Sequence, residues 1–189
     1  DDMSKEERGS ISVIADSTDN SRSHFLLVDN STAIIYFGQQ NNEQVSYRQY
    51  EYKATNFSPR FNTSRCVLVK QFGYCYFGNS SFSPDSEGET LQREKTGDGK
   101  VVVIDFSQQT PTNKEYTVNE NEPIDQLIVD DLGNIYSLDE TTLYQIKVSG
   151  NSSSRLVLAT NVSSAVANKS LFYISNNQLF EYSSQTKST

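Results

Sequence analysis

Residues 127–138 read LIVDDLGNIYSL: an apolar run, a short polar turn that contains glycine, and a second apolar run that carries a tyrosine. The same pattern recurs at residues 25–38, 66–78 and 165–175. Two short apolar runs joined by a tight turn are typical of a β-hairpin. A hairpin that recurs along a chain predicts like units packed side by side. We therefore expect an all-β fold.

Short apolar or alternating segments continue between these hairpins, separated by Asn, Gly, Ser and Asp, as is typical of strands and turns. The fifteen predicted strands are 11–15, 24–29, 33–38, 44–53, 65–70, 73–78, 100–106, 114–118, 125–130, 134–138, 142–148, 154–159, 163–167, 171–175 and 178–182.

The strands form one predicted domain, residues 11–184, with units at about 24–60, 61–120, 121–162 and 163–184. The fourth unit is one strand short, and one strand precedes the first unit. We therefore predict that strand 11–15 pairs with strand 178–182 and closes the units into a ring, which would leave no free sheet edge.

Three segments lie outside this repeat. Residues 1–10 are charged and polar, and we expect a flexible N-terminal arm. Residues 79–99 form a charged insertion without apolar periodicity, for which we expect a loop. Residues 185–189 are expected to be a C-terminal tail.

The third unit resembles a blade of the β-propeller repeat proteins. It carries the pattern D-x-x-G-N-x-Tyr from Asp130 to Tyr136, and the similarity extends over residues 125–158. In such blades the Asp-Gly-Asn turn links the innermost strand to the next one, and the tyrosine packs between blades. The resemblance implies a four-bladed, propeller-like ring and carries over no catalytic residue. A partial propeller, an eight-stranded ligand barrel and a β-sandwich are the alternatives.

The formal net charge of −8 and the isoelectric point near 4.7 bound the possible partners. Binding to nucleic acid or to an anionic membrane surface requires a basic surface, so we expect neither. Apolar runs of transmembrane length are absent from the sequence, so we also expect no membrane insertion.

Seven Asn-x-Ser/Thr sequons predict a secreted, extracellular glycoprotein. Several coincide with predicted turns, where a bulky glycan is tolerated. Asn56 is the weakest site, because a proline follows its sequon at position 59. The expected glycosylation sites are Asn30, Asn62, Asn79, Asn151, Asn161 and Asn168.

The two cysteines, Cys66 and Cys75, lie on the two arms of one predicted hairpin. A tight turn near Lys70 and Gln71 would place them opposite each other across the ladder, at a separation that a disulfide can bridge. We predict this disulfide, which agrees with an extracellular location.

Few residues point to chemistry. The single histidine, His24, begins a predicted strand, and nothing nominates a nucleophile and an orienting acid beside it. The acidic residues around the third hairpin, such as Asp125 and Asp131, could bind calcium, but turn chemistry explains them adequately. We therefore expect no catalytic residue, no metal and no cofactor.

The aromatic residues of one strand offer a candidate binding surface. Residues 45–52 read VSYRQYEY and contain Tyr47, Arg48, Tyr50 and Tyr52. Tyrosine and arginine are favoured anchors at interfaces. The alternative is an outer strand with one packed face.

These observations predict a non-enzymatic binding protein that engages an extracellular protein or glycan. The first alternative is a lectin-like propeller that binds a glycan or small ligand at the mouth of the ring. The second alternative is an extracellular hydrolase or lactonase of the propeller type.

Overall fold

A computed structural model of the chain describes residues 11–15, 22–29, 34–41, 44–51, 64–77, 80–84, 91–95, 99–118 and 124–183. Every regular element within these ranges is a β-strand, which confirms the all-β class. The strands are β1 (Ile11–Ala15), β2 (Arg22–Asp29), β3 (Ile34–Asn41), β4 (Gln44–Glu51), β5 (Ser64–Val69), β6 (Phe72–Phe77), β7 (Ser80–Pro84), β8 (Leu91–Lys95), β9 (Gly99–Asp105), β10 (Thr112–Val118), β11 (Gln126–Val129), β12 (Ile135–Asp139), β13 (Thr142–Ser149), β14 (Ser152–Ala159), β15 (Val162–Ala167), β16 (Leu171–Ser175) and β17 (Gln178–Tyr182).

All fifteen predicted strands are present, with boundaries that differ by a few residues at most. The prediction of a loop for residues 79–99 is wrong for its two paired segments, β7 and β8, which form an antiparallel hairpin. The segment LQREK of β8 has no alternation of apolar and polar residues, so its pairing leaves no pattern in the sequence. The predicted arm 1–10 and tail 185–189 lie outside the described residues.

The strands form four sheets. Sheet A has the order β1-β2-β3-β4, and sheet D has the order β15-β16-β17. Sheet B has eight strands in the order β11-β12-β13-β14-β10-β9-β6-β5, and sheet C is the β7-β8 hairpin. All neighbours within each sheet are antiparallel except β10 and β14.

Sheet B is a nearly closed barrel made of two four-stranded halves. The first half is β5, β6, β9 and β10, and the second half is β11 to β14. The halves join through a short parallel pairing of β10 with β14, in which Thr117 lies beside Ser152 and Val118 beside Ser153. At the opposite side, β5 lies against β11, so the two end strands of the sheet meet.

Three hydrophobic cores separate successive layers. Core 1 lies between sheet A and the first half of sheet B and contains Leu26, Ile35, Phe37, Leu68, Cys75, Phe77, Val102, Ile104 and Phe106. Core 2 lies inside sheet B and contains Tyr74, Tyr76, Val101, Val118, Ile124, Leu127, Val129, Ile135 and Ile146. Core 3 lies between the second half of sheet B and sheet D and contains Ile128, Tyr136, Leu138, Leu143, Val162, Ala165 and Leu171.

The alternation of strand side chains explains how one strand serves two cores. On β6, Cys75 and Phe77 enter core 1, whereas Tyr74 and Tyr76 enter core 2. Side chains of a strand point to opposite faces in turn, so a strand with apolar residues at every position is buried on both sides. Each large side chain buried in this way contributes about 1.5–3 kcal/mol to stability.

The predicted ring closure by the N-terminal strand is wrong. β1 pairs with β2 in antiparallel register, with Val13 opposite Phe25, and it also approaches β5. Within the described residues, β17 pairs with β16 in a separate sheet. The first predicted unit therefore corresponds to sheet A with four strands, and the two halves of sheet B and then sheet D follow it along the chain.

The Asp-Gly-Asn turn of the third unit is held by one buried carboxylate. Asp130 is 1% exposed. Its Oδ1 accepts hydrogen bonds from the backbone N–H groups of Leu132 (3.0 Å) and Asn134 (2.8 Å). Its Oδ2 accepts from the Asn134 side-chain amide (2.7 Å) and the Tyr136 hydroxyl (3.2 Å). Gly133 adopts a positive φ of 83°, which glycine tolerates best, and Tyr74 packs closely against it.

Candidate functional site

The predicted binding surface on β4 divides between two faces of the strand. Arg48 Nη1 donates to the backbone carbonyls of Phe106 and Gln108, the latter at 3.3 Å. Tyr50 packs against core 1, and its burial, together with the charge of Glu115, raises the pKa of its hydroxyl. Tyr47 lies on the opposite face and is 68% exposed. The prediction that these residues form one surface is wrong for Arg48 and Tyr50.

Tyr52 lies outside the described residues, so its place in the predicted surface stays a prediction. Side chains alternate between the two faces of β4, so Arg48 and Tyr50, which are two positions apart, share the face that packs on sheet B.

Tyr47 belongs to a different surface, the outer face of sheet A. We call this surface the A face; its described apolar residues are Phe25, Leu27, Tyr36, Val45 and Tyr47. Val45 is 58% exposed and Leu27 is 37% exposed. The rings of Tyr36 and Tyr47 meet edge to face at 6.3 Å. Large exposed apolar side chains grouped on one sheet face are typical of interaction sites.

Gly38 leaves space on the A face for the ring of Phe25. A Cβ atom at this position would lie 1.8 Å from Cζ of Phe25, so the Phe25 ring lies directly over the glycine. Gly38 is also opposite Tyr47 in the ladder. The phenylalanine therefore lies along the sheet beside Tyr47 and widens the aromatic surface.

The outer face of sheet D is also apolar. We call it the D face, and its apolar residues are Val166, Phe172, Ile174 and Leu179. Leu179 is 72% exposed and Val166 is 63% exposed. Sequence reasoning missed this face, although the segments LFYIS and QLFEY carry apolar residues at consecutive positions, which indicates strands with two apolar faces.

A polar cleft of about 650 Å³ lies where β10 meets the β13–β14 turn. The lining residues are Lys100, Asn113, Lys114, Glu115, Tyr116, Thr117, Gly150 and Asn151. Lys100 Nζ lies 2.9 Å from Glu115 Oε2, and Asn113 Nδ2 donates to Glu115 Oε1 at 3.3 Å. Glu115 is thus held between a cation and an amide at the cleft wall.

A buried ion pair joins β12 and β14, the two strands that flank β13 in sheet B. Arg155 donates to Asp139 Oδ2, and the two side chains are 2% and 7% exposed. The Arg155 guanidinium also lies over the Tyr144 ring at 5.1 Å. Burial raises the pKa of Asp139 to about 6, and Arg155 opposes this increase. The pair therefore lies beneath the surface and links β12 to β14 across β13.

Three of the predicted glycosylation sites lie in described turns. Asn151, Asn161 and Asn168 all have exposed side chains. Their backbone carbonyls accept hydrogen bonds from Thr117 (3.0 Å), Asn176 (3.3 Å) and Asp131 (2.8 Å), respectively. The side-chain amides of these three asparagines are therefore solvent-exposed, while hydrogen bonds hold their backbone carbonyls in place. Asn30, Asn56, Asn62 and Asn79 lie outside the described residues.

The predicted disulfide is confirmed. Cys66 and Cys75 face each other across β5 and β6 with Cα atoms 4.1 Å apart, and the sequence contains no other cysteine. The turn at Lys70 and Gln71 also forms as predicted. His24 is buried beside Phe37, with the ring centres 5.4 Å apart.

Within the described ranges, no group of three or more His, Cys, Asp or Glu side chains could hold a metal ion. In the same part of the chain, no helix is long and apolar enough to cross a membrane. Asp125, which sequence reasoning considered as a calcium ligand, accepts a hydrogen bond from the backbone N–H of Glu140 (2.8 Å), and Asp139 accepts one from the backbone N–H of Asp125 (3.3 Å).

No protein-family model, curated protein or solved structure matches this chain.

Proposed function

We propose that this chain is a secreted, N-glycosylated, non-enzymatic binding protein that engages another extracellular macromolecule through the A face. The exposure of the A face carries this proposal, with Tyr47 at 68% and Val45 at 58%. Tyrosine contributes strongly to interfaces because its large ring loses little conformational entropy on binding. The expected partner is a protein with an apolar surface.

The disulfide and the turn positions of three sequons support an extracellular location. Disulfides persist in oxidising compartments. Exposed asparagines at hairpin turns, here Asn151, Asn161 and Asn168, leave room for a glycan beside the sheet.

We further propose that the four units are blades of a propeller-like array. The first strands of successive units follow one another: β1 approaches β5, β5 approaches β11, and β11 approaches β15. An open array fits the exposed A and D faces better than a closed ring of four units, because a closed ring would cover both faces.

Expression through a eukaryotic secretory pathway tests the compartment. We expect secreted protein that loses mass on treatment with an N-glycosidase, with peptide mapping placing glycans at Asn151, Asn161 or Asn168. Secreted protein with no mass change would contradict the glycosylation proposal.

Capture of extracellular proteins by immobilised, glycosylated chain tests the binding surface. We expect Tyr47→Lys to abolish the captured species, since it places a charge at the centre of the A face. Leu132→Lys is the matched control, because Leu132 is 58% exposed on a turn away from this face. Equal capture by the wild type and by Tyr47→Lys would contradict the proposal.

The polar cleft supports a second candidate, a glycan-binding function. Its lining of lysine, glutamate, asparagine and tyrosine offers both hydrogen-bond donors and acceptors to sugar hydroxyls. Glycan-array binding that is lost in Glu115→Ala would favour this candidate over the A face.

A further inference from the structure

We propose that the A face binds the D face of a second copy of this chain, so that two copies close a ring of eight units. This inference rests on the proposed function, because it names the partner of the A face. It follows from the way in which the four units of one chain already pack.

Each interface within the chain joins one face of a unit to the opposite face of the next unit. Ile35 and Phe37 of sheet A pack against Cys75 and Phe77 of the following unit. The other side of that unit packs on the third unit, and the third unit packs on sheet D. Among the four units, the A face lacks a preceding unit and the D face lacks a following one.

The D face continues the pattern of the internal interfaces. In the third unit, Tyr136 and Leu138 alternate on the side of β12 that sheet D covers. In sheet D, Phe172 and Ile174 occupy the same second and fourth positions of the corresponding strand, β16. Ile174 is 39% exposed, whereas Leu138 is 7% exposed. The D face thus has the composition of a covered face without the unit that would cover it.

The two faces are also complementary in composition. Three of the five described apolar residues of the A face are aromatic, namely Phe25, Tyr36 and Tyr47. Three of the four apolar residues of the D face are aliphatic, namely Val166, Ile174 and Leu179. Core 2 has the same arrangement, with tyrosines from its first half against leucine, isoleucine and valine from its second half. A contact between the A and D faces would therefore repeat a kind of packing that the chain already uses.

A ring of eight units lies within the size range of closed propellers. A contact between two different faces either closes a ring or continues into a filament. Two copies supply eight units, and closed propellers have about 4–8 blades. A two-copy ring uses both faces of each chain and leaves neither exposed.

Sedimentation of the glycosylated full chain over a wide concentration range tests the inference. We expect a monomer–dimer equilibrium. Tyr47→Lys on the A face and Leu179→Lys on the D face should each weaken dimerisation by about tenfold or more, because each introduces a charge into both contacts of the ring. Val166→Lys provides a second D-face variant, and Leu132→Lys should dimerise normally. Thermal melting confirms that each variant is folded.

Mixing the Tyr47→Lys and Leu179→Lys variants is a stricter test. Tyr47→Lys retains a good D face and Leu179→Lys retains a good A face, so the mixture should form one intact contact and associate more tightly than either variant alone. Association that depends on Tyr47 alone, the growth of filaments, or a wild-type monomer at every concentration would each overturn the two-copy ring. If the monomer still captures an extracellular protein through Tyr47, the proposed function stands and only this inference fails.

Discussion

Asp139 is a buried carboxyl group whose pKa changes on folding. It is the last residue of β12 and pairs with Arg155 of β14, and burial raises its pKa to about 6 from an ordinary value of 3.8. The folded chain therefore holds a proton on this carboxyl more tightly than the unfolded chain does. The resulting stabilisation is complete below the unfolded pKa and is lost as the pH rises through the folded value.

Asp139→Asn should flatten the pH dependence of stability between pH 4 and pH 7. In the wild type, this residue should lower the free energy of unfolding by on the order of 3 kcal/mol over that range, because the folded chain gives up its extra proton. Asparagine does not titrate. Urea unfolding of both proteins at several pH values measures the difference.

Asp105 is the matched comparison. Hydrogen bonding to Ser107 lowers the pKa of Asp105, so its contribution is present at neutral pH and lost on acidification. Asp105→Asn should therefore alter the pH dependence in the opposite sense. Parallel pH profiles for the wild type and Asp139→Asn would contradict the role of burial at Asp139.

The Cys66–Cys75 disulfide should contribute modestly to stability, because it closes a loop with a sequence separation of only 9. Replacing both cysteines by alanine should lower the free energy of unfolding by about 2–3 kcal/mol. Reductant should lower the urea midpoint of the wild type and leave the double variant unchanged. A wild-type midpoint that is insensitive to reductant would be the contrary result.

Sequence reasoning placed correctly those residues whose position depends only on their near neighbours in the chain. The cysteine pair follows from hairpin spacing, and the Asp130 turn follows from its own short motif. Arg48 and Tyr47 could not be separated from sequence, because alternation shows that they lie on opposite faces but not which face packs on sheet B.

Among the elements, the β7–β8 hairpin should be dispensable for the fold. Deleting residues 79–98 leaves Gly78 and Gly99 as a two-residue connection between Phe77 and Lys100, which are paired across β6 and β9. Two glycines suit such a tight turn. Because cores 1 and 2 keep all their members, we expect the free energy of unfolding to change by less than about 1 kcal/mol.

Urea unfolding of the deletion variant measures this change. Removal of β9 residues 99–104 provides the destabilising control, because it takes Val102 and Ile104 out of core 1. Unfolding of the hairpin deletion at a much lower urea concentration would show that sheet C supports the main cores.

The positions of the strands could be predicted from sequence, but the pairing of β1 could not. The predicted strands were correct because their apolar runs and turn residues are local signals. The predicted partner of β1 was wrong, because the sequence of a single strand does not indicate which sheet edge it joins. The structure has it paired with β2, its neighbour in sequence, which is the commoner arrangement in β proteins.

For the whole molecule, we propose an open series of four units in which the A face and the D face remain uncovered. The repeated hairpin predicted like units in series; the structure has three cores between successive layers, and the repeat itself stays a prediction. Ring closure could not be predicted from sequence, because it depends on the angle between successive sheets rather than on any residue pattern.

Disulfide trapping of β1 tests this claim most directly. Val13 and Phe25 are paired across β1 and β2. We predict that Val13→Cys combined with Phe25→Cys forms an intramolecular disulfide in dilute protein, identified by peptide mapping beside the native bond, whereas Val13→Cys combined with Leu179→Cys does not. Efficient bonding between positions 13 and 179, with none between 13 and 25, would contradict the open series.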